Sequence, residues 1–217
     1  MARRKAPEKG EQLHRAYLAV LESSSVDQLS TLLGEQQQFI RFLNQQPDFR
    51  GQAAAALDGY QESMVAAHGM ETNAMTQVSN LRIELARTLQ EEARNVEELV
   101  RVEESLSGTT SRPYMQAIQR LAGAQRAIGN SDRALSLDLQ AIHIADLTSA
   151  PNDFQRFQTR INVASTLAFL QRFDEAEQLA ADALVIAKQM HPPQDVQVTN
   201  QIENIRRQKE TARAIVH

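Results

Sequence analysis

An internal repetition in the second half of the chain constrains its fold more than any other feature. Residues 129–135, Gly129-Asn-Ser-Asp-Arg-Ala134-Leu, align with residues 171–177, Gln171-Arg-Phe-Asp-Glu-Ala176-Glu, at an offset of 42 positions. At that offset Leu137 meets Leu179, Ala141 meets Ala183, Ile142 meets Leu184, Ile144 meets Ile186 and Ala145 meets Ala187. Upstream, Leu121 meets Val163, Ala122 meets Ala164 and Ile128 meets Leu170. Small residues recur where two helices approach closely, and large aliphatics recur where they interlock. Each unit is therefore a helix–turn–helix that can bury its apolar face only by stacking on a neighbour.

Composition agrees. Among 217 residues there are 30 Ala and 24 Gln, against 8 Gly, 6 Pro and no Trp. Good helix formers dominate and turn residues are too scarce for a many-stranded sheet, so the chain is all-α. The order expected is an N-terminal helical bundle of hairpins with one long helix, then a short α-solenoid. Residues 1–10 are basic, polar and unpatterned and read as disordered. Apolar stripes predict helices over Glu11–Ser23, from near Ser25 to Gln46, and over Gly51–Ala67. From Glu71 to Leu106 there is neither Gly nor Pro, which predicts a single amphipathic helix of about 55 Å at 1.5 Å per residue. Its apolar residues, Met75, Val78, Leu81, Leu85, Leu89, Val96, Leu99 and Leu106, approach a seven-residue seam that Glu92 and Glu103 interrupt. That seam suits an antiparallel helix pair or a homodimer through residues 71–106. Residues 107–113, Ser-Gly-Thr-Thr-Ser-Arg-Pro, read as a linker between a bundle at 11–106 and repeats at 114–217. Charge shifts there, from 11 basic and 16 acidic residues (net −5) before position 111 to 12 and 11 (net +1) after it.

The small and aliphatic pattern of the first helices, the turns at Gly129–Ala134 and Arg172–Ala176, and the pairs Ala141-Ile142 and Ala183-Leu184 resemble tetratricopeptide repeats (TPR). The 42-residue period is similar to the longer repeats of kinesin light chains. The resemblance covers about residues 113–190, and a capping first helix follows at 196–215. It departs at Gln125 and Asp138, where the family has aromatics. The resemblance implies a right-handed solenoid that binds a peptide or protein segment, without catalysis, in a groove lined by the first helix of each pair. Carried over by position, the groove would be Gln116, Gln119, Arg120, Gly123 and Arg126 in the first repeat. It continues as Gln158, Asn162, Ser165 and Phe169 in the second, and Asn200, Asn204 and Arg207 in the third. Asn162 and Asn204 match the family's recurrent groove asparagine, whose amide donates to and accepts from a ligand backbone at once. Arg120 stands where the first repeat would have that asparagine, which favours an acidic ligand segment. In the N-terminal half, Val26-Asp-Gln-Leu29-Ser-Thr-Leu32-Leu33 leading to Gln36-Gln-Gln-Phe-Ile40-Arg-Phe-Leu43 resembles small flagellar export chaperones of the FliT/FlgN type, which implies capture of an export substrate's terminal segment.

The remaining chemistry is excluded by what the sequence lacks. With no Cys there are no disulfides, thiolate metal sites or thiol nucleophile. His14, His68, His143, His191 and His217 have no ligand spacing, so no metal is expected. Adjacent carboxylates such as Glu91-Glu92, Glu97-Glu98 and Glu103-Glu104 do not face each other on a helix and read as a solvated acidic face. No phosphate-cradling or nucleophile motif occurs, so neither an enzyme nor a cofactor is expected. A net charge of −4 argues against nucleic acid. No apolar run reaches 18 residues, which argues against membrane insertion, and the reading is cytoplasmic. Arg206, Arg207, Lys209 and Arg213 make the last helix basic, able to meet an acidic partner. The function expected is a non-catalytic adaptor or chaperone that binds a partner protein segment. The alternatives are a regulator that signals through its N-terminal bundle, or an assembly subunit dimerising through residues 71–106.

Overall fold

The computed structural model describes residues 26–46, 50–68, 73–151, 153–190 and 195–216, which contain nine α-helices and no strand. The basic residues 1–10 and the stripe at 11–23 lie outside the described residues. The chain divides into two compact units, Met1–Leu106 and Ser107–His217.

In the first unit, α1 (Val26–Gln45) packs on α2 (Arg50–His68), and α2 on α3 (Asn73–Leu85). Ile40, Leu57, Tyr60, Met64, Ala74, Val78 and Leu81 interlock in one buried cluster. The helix expected to run unbroken from 71 to 106 is two helices, α3 and α4 (Leu89–Ser107), separated at Ala86–Thr88. The break has a local cause. Thr88 is an N-cap: its Oγ accepts from Glu91 N at 3.1 Å, and the Glu91 carboxylate accepts from Arg87 N at 3.0 Å. This is a capping box displaced by one residue, which ties up donors that an α4 N-terminus would otherwise leave unsatisfied. The two helices fold back on each other. Asn95 Nδ2 donates to Arg82 O at 2.8 Å and Thr76 Oγ donates to Glu103 at 2.7 Å, pairings that converge on residues 88–89 as an antiparallel hairpin requires. Val78, Leu81, Val96 and Leu99 are buried, so much of the seam read as suited to a helix pair or a dimer through residues 71–106 is covered, while Leu89 stays 48% exposed. Glu103, read as part of a solvated acidic face, is buried against Thr76.

The second unit contains α5 (Arg112–Ala127), α6 (Ser131–Thr148), α7 (Phe154–Phe169), α8 (Phe173–Gln189) and α9 (Asp195–Val216). The segment expected as a linker over 107–113 is shorter than that. Ser111 N donates to Gly108 O, Gly108 takes φ +78, and Ser111 Oγ accepts from Tyr114 N at 3.2 Å as the N-cap of α5. Arg112 and Pro113 are already helical, with Pro113 in the first turn, where its missing N–H costs nothing. Asp153 caps α7 in the same way, accepting from Gln155 N at 2.7 Å.

The 42-residue repeat is visible bond for bond in the turns that close each pair. Asn130 N donates to Gln125 O and Gly129 N to Arg126 O; 42 residues on, Arg172 N donates to Leu167 O and Gln171 N to Ala168 O. Both are Schellman motifs, which need a left-handed residue just past the helix. Gly129 supplies it at φ +87, whereas Gln171 is forced to φ +60. A side chain in that conformation costs roughly 1 kcal/mol. Gln171→Gly should therefore raise the stability of the chain by about 0.5–1 kcal/mol, measured by thermal unfolding. A lowered or unchanged melting temperature would mean that the exposed Gln171 carries no such strain.

Small residues let the helices approach. Ala176, Ala180, Ala183 and Ala187 form a fully buried stripe along α8. Leu135, Val163, Leu167 and Ile205 pack on its first half. Phe157, Ile161 and Val198 pack on its second half. The long aliphatics thus come from α6, α7 and α9 and the gaps from α8, as the alignment of Ala141 with Ala183 requires.

Candidate partner-binding groove

The first helices of the pairs in the second unit are α5 and α7, with α9 as an unpaired third, and two side-chain bonds set them edge to edge. Between α5 and α7, Arg126 Nη1 donates to Thr166 Oγ at 2.8 Å. Between α7 and α9, Gln201 Nε2 donates to Ser165 Oγ at 2.9 Å, while Ser165 donates to Ile161 O. These contacts place the candidate residues on adjoining helix faces. On α7, Gln158 Nε2 donates to Asn162 Oδ1 at 3.0 Å and both are half-buried. Phe169 ends that face with its side chain 69% exposed. On α9, Asn200, Asn204 and Arg207 are exposed. Asn204 accepts from Gln208 at 3.5 Å, and Arg207 lies 3.6 Å from Glu203. On α5, Gln116 and Arg120 are exposed and Gln119 is half-buried, its Nε2 enclosed without a hydrogen-bond partner.

Arg126, carried over as a groove position, is 31% exposed and is also tied inward. Its Nη1 also donates to Asp138 Oδ2 at 2.5 Å, and Asp138 is 1% exposed. Thr166 Oγ donates to the same carboxylate oxygen at 2.7 Å. The position read as a departure from the repeat pattern is thus the anchor of a buried polar cluster joining α5, α6 and α7. Burial pushes the Asp138 carboxyl above its ordinary value, and the Thr166 hydroxyl and the Arg126 charge pull it back only in part. Gln125, the other departure, is buried and accepts from Asn130 Nδ2 at 3.0 Å, bracing the turn into α6.

Sequence reasoning did not single out Gln201, Gln208, Thr166 or Asp138 as parts of this arrangement. A charged residue at a core position needs a partner, so Asp138 was itself the available signal. The basic last helix is also largely committed. Lys209 Nζ contacts Asp174 at 2.6 Å and Glu177 at 2.8 Å, and Arg206 contacts Glu177 at 3.0 Å, holding α9 on α8. At the far end of the second unit Asp146 pairs with Arg156 at 2.7 Å and Arg160 at 2.9 Å. Burial opposes its ionisation, but the two guanidinium groups together hold its carboxyl below the ordinary range.

In the first unit side chains bridge α1 and α3. Arg41 pairs with Glu84 at 2.8 Å and Gln37 Nε2 donates to Gln77 at 2.9 Å. Two clefts of about 480 and 520 Å³ share Arg82 and Asn95 as lining. Arg82 is itself bonded there to Asp58 and Gln61. Among the described residues no cluster of His, Asp and Glu could hold a metal ion, and no helix is long and apolar enough to cross a membrane.

Paired helices closed by recurrent Schellman turns, with small residues on the second helix of the pair, make a TPR-like α-solenoid fold. Solved structures bear this out. BtubC (BKLC) from P. vanneervenii superposes with a TM-score of 0.67 at 13% identity, covering 96% of this chain and 87% of that one. A Podosopora anserina protein assigned as a kinesin light chain, with nearly identical TPR-like repeats, superposes with a TM-score of 0.58 at 18% identity, covering 84% of this chain and 94% of that one. A variant structure of the same protein gives equal values for TM-score and identity. The coverage by BtubC takes in the N-terminal half, and nothing found supports the resemblance of that half to flagellar export chaperones. No protein-family model matches the chain, and no curated protein sequence matches it.

Proposed function

We propose that the chain is a non-catalytic protein–protein interaction module, an adaptor or chaperone that holds an extended segment of a partner protein along α5, α7 and α9. The observation that carries this reading is the amide-rich run on those faces: Gln158 and Asn162 bonded on α7, Gln201 joined to Ser165, and Asn200 and Asn204 exposed beyond them. Amides both donate and accept, so such a surface can grip a main chain whatever its side chains. The strongly exposed Phe169 supplies an aromatic anchor at one end. The structural likeness to repeat scaffolds supports the same class of function, and the absence of cysteine from the sequence suits a cytoplasmic setting.

The test compares partners captured by the native chain and by the double variant Asn162→Ala/Asn204→Ala, followed by calorimetric titration of the protein lost. Each amide contributes net hydrogen bonding of about 0.5–1.5 kcal/mol, so the double variant should bind roughly 5- to 100-fold more weakly. Folding should survive, because both residues are at least partly exposed. Phe169→Ala should weaken binding at least as much. Unchanged affinity in both variants would move the binding surface off these faces.

A further inference from the structure

Three features line up along α5 one turn apart. Gln119 has an enclosed Nε2 without a hydrogen-bond partner. Four residues on, Gly123 sits in the helix interior, where glycine is a poor choice. A Cβ built there would meet nothing nearer than Arg126 Nη2 at 3.9 Å, so packing within the chain does not demand glycine. Three residues further, the Arg126 guanidinium is 31% exposed and makes both its bonds, to Asp138 and Thr166, from Nη1. Its other edge therefore borders the open space above Gly123. The outer edge of Arg126 offers a donor and Gly123 a bare backbone, which suits an acceptor atom brought close. Asp138 decides which kind. Its buried carboxylate offsets much of the arginine's charge, so the pair attracts an anion less than a lone arginine would, and a carbonyl, which costs far less than a carboxylate to strip of water, is the acceptor that suits it.

We propose that the first repeat carries a neutral-acceptor subsite over Gly123, where Arg126 donates to a main-chain carbonyl of the bound segment and Asp138 selects against acidic side chains. The proposal rests on the groove reading above and adds a preference opposite to the one that Arg120 alone suggests. Asp138 is here a specificity residue that acts through Arg126.

The experiment pans a random dodecapeptide display library against the intact chain and against Asp138→Asn. Peptides selected by the native chain are synthesised with a fluorophore and titrated against the native chain, Gly123→Ala and Asn162→Ala/Asn204→Ala. Gly123→Ala should bind at least tenfold more weakly while melting at or above the native temperature, because its new methyl has room in the free protein. Selection on Asp138→Asn should turn towards Asp- and Glu-rich peptides. If Asp138→Asn does not fold, the Gly123→Ala titration and the native selection still decide the matter. Weakening by the asparagine pair with none by Gly123→Ala would overturn the subsite and leave the groove standing. Acidic peptides already dominating the native selection would overturn the neutral preference. No enrichment, or binding indifferent to every variant, would overturn both.

Discussion

Arg126→Ala should destabilise the chain by about 3–5 kcal/mol at neutral pH, far more than a half-exposed arginine ordinarily contributes. The loss comes from what is left behind. Asp138, 1% exposed in the native chain, would keep its bond from Thr166 but lose its counter-ion. The pH dependence identifies the mechanism. Burial already places the Asp138 carboxyl above its ordinary range, and removing Arg126 deletes an opposing effect, so its folded value rises further. Between the unfolded and folded values the folded state binds more protons, so stability contributed through this group falls as pH rises. The variant should therefore lie closest to the native protein in mild acid and fall furthest behind at neutral pH and above. Urea denaturation of both proteins at several pH values measures this as a difference, which cancels the carboxylates held below their usual range elsewhere, such as Asp146. A deficit independent of pH would mean that Asp138 is not the group left exposed to the loss.

Phe157→Ala carries a comparable expectation, a loss of about 3–5 kcal/mol. Its ring is fully buried against Ile161, Ala183, Ala187 and Val198. It fills much of the space that the alanine stripe of α8 opens, and it is the largest fully buried side chain in that cluster. Phe154, whose ring centroid is 5.7 Å away but which is about half exposed, is the control and should cost less than a third as much. Because Val198 belongs to α9, hydrogen exchange in the Phe157→Ala variant should rise in α9 as well as in α7. Against a total stability of roughly 5–15 kcal/mol such a loss would bring the chain near unfolding at 37 °C. Equal losses for the two phenylalanines would mean that the core is not organised around this ring.

The second unit was legible in the sequence because its repeat is written in side-chain size. Ala183 under Ala141, Ala187 under Ala145 and Leu170 under Ile128 recur since the backbone beneath them recurs, down to the φ of Gly129 and Gln171. The hairpin of α3 and α4 was not legible from breakers. Ala86, Arg87 and Thr88 are tolerable helix residues, and local propensity alone would carry the helix through them. Tertiary packing and the Thr88–Glu91 cap decide otherwise, and Thr88-Leu-Gln-Glu91 was the one local signal of it. Position-by-position transfer from the repeat pattern named Arg126 as a groove position but gave no sign of its inward bond, because its partner Asp138 lies on another helix. Spacing within one helix identifies a face; it does not say which face residues a distant charge has claimed.

The hold on α9 differs in kind from the hold on α7. Arg126, Asp138 and Thr166 tie α7 to α5 and α6 from a buried site. Beyond Val198, Ile202 and Ile205 in the core, the bonds that hold α9 among the described residues are an amide–hydroxyl bond and the reach of Lys209 and Arg206 to Glu177 and the open carboxylate of Asp174. Charges at the surface are screened within about 8 Å at physiological ionic strength, whereas the interior cluster is sheltered from that screening. The final helix is thus the one whose seating answers to salt, and a surface that includes it tightens or slackens with the ionic medium while α5 and α7 keep their spacing.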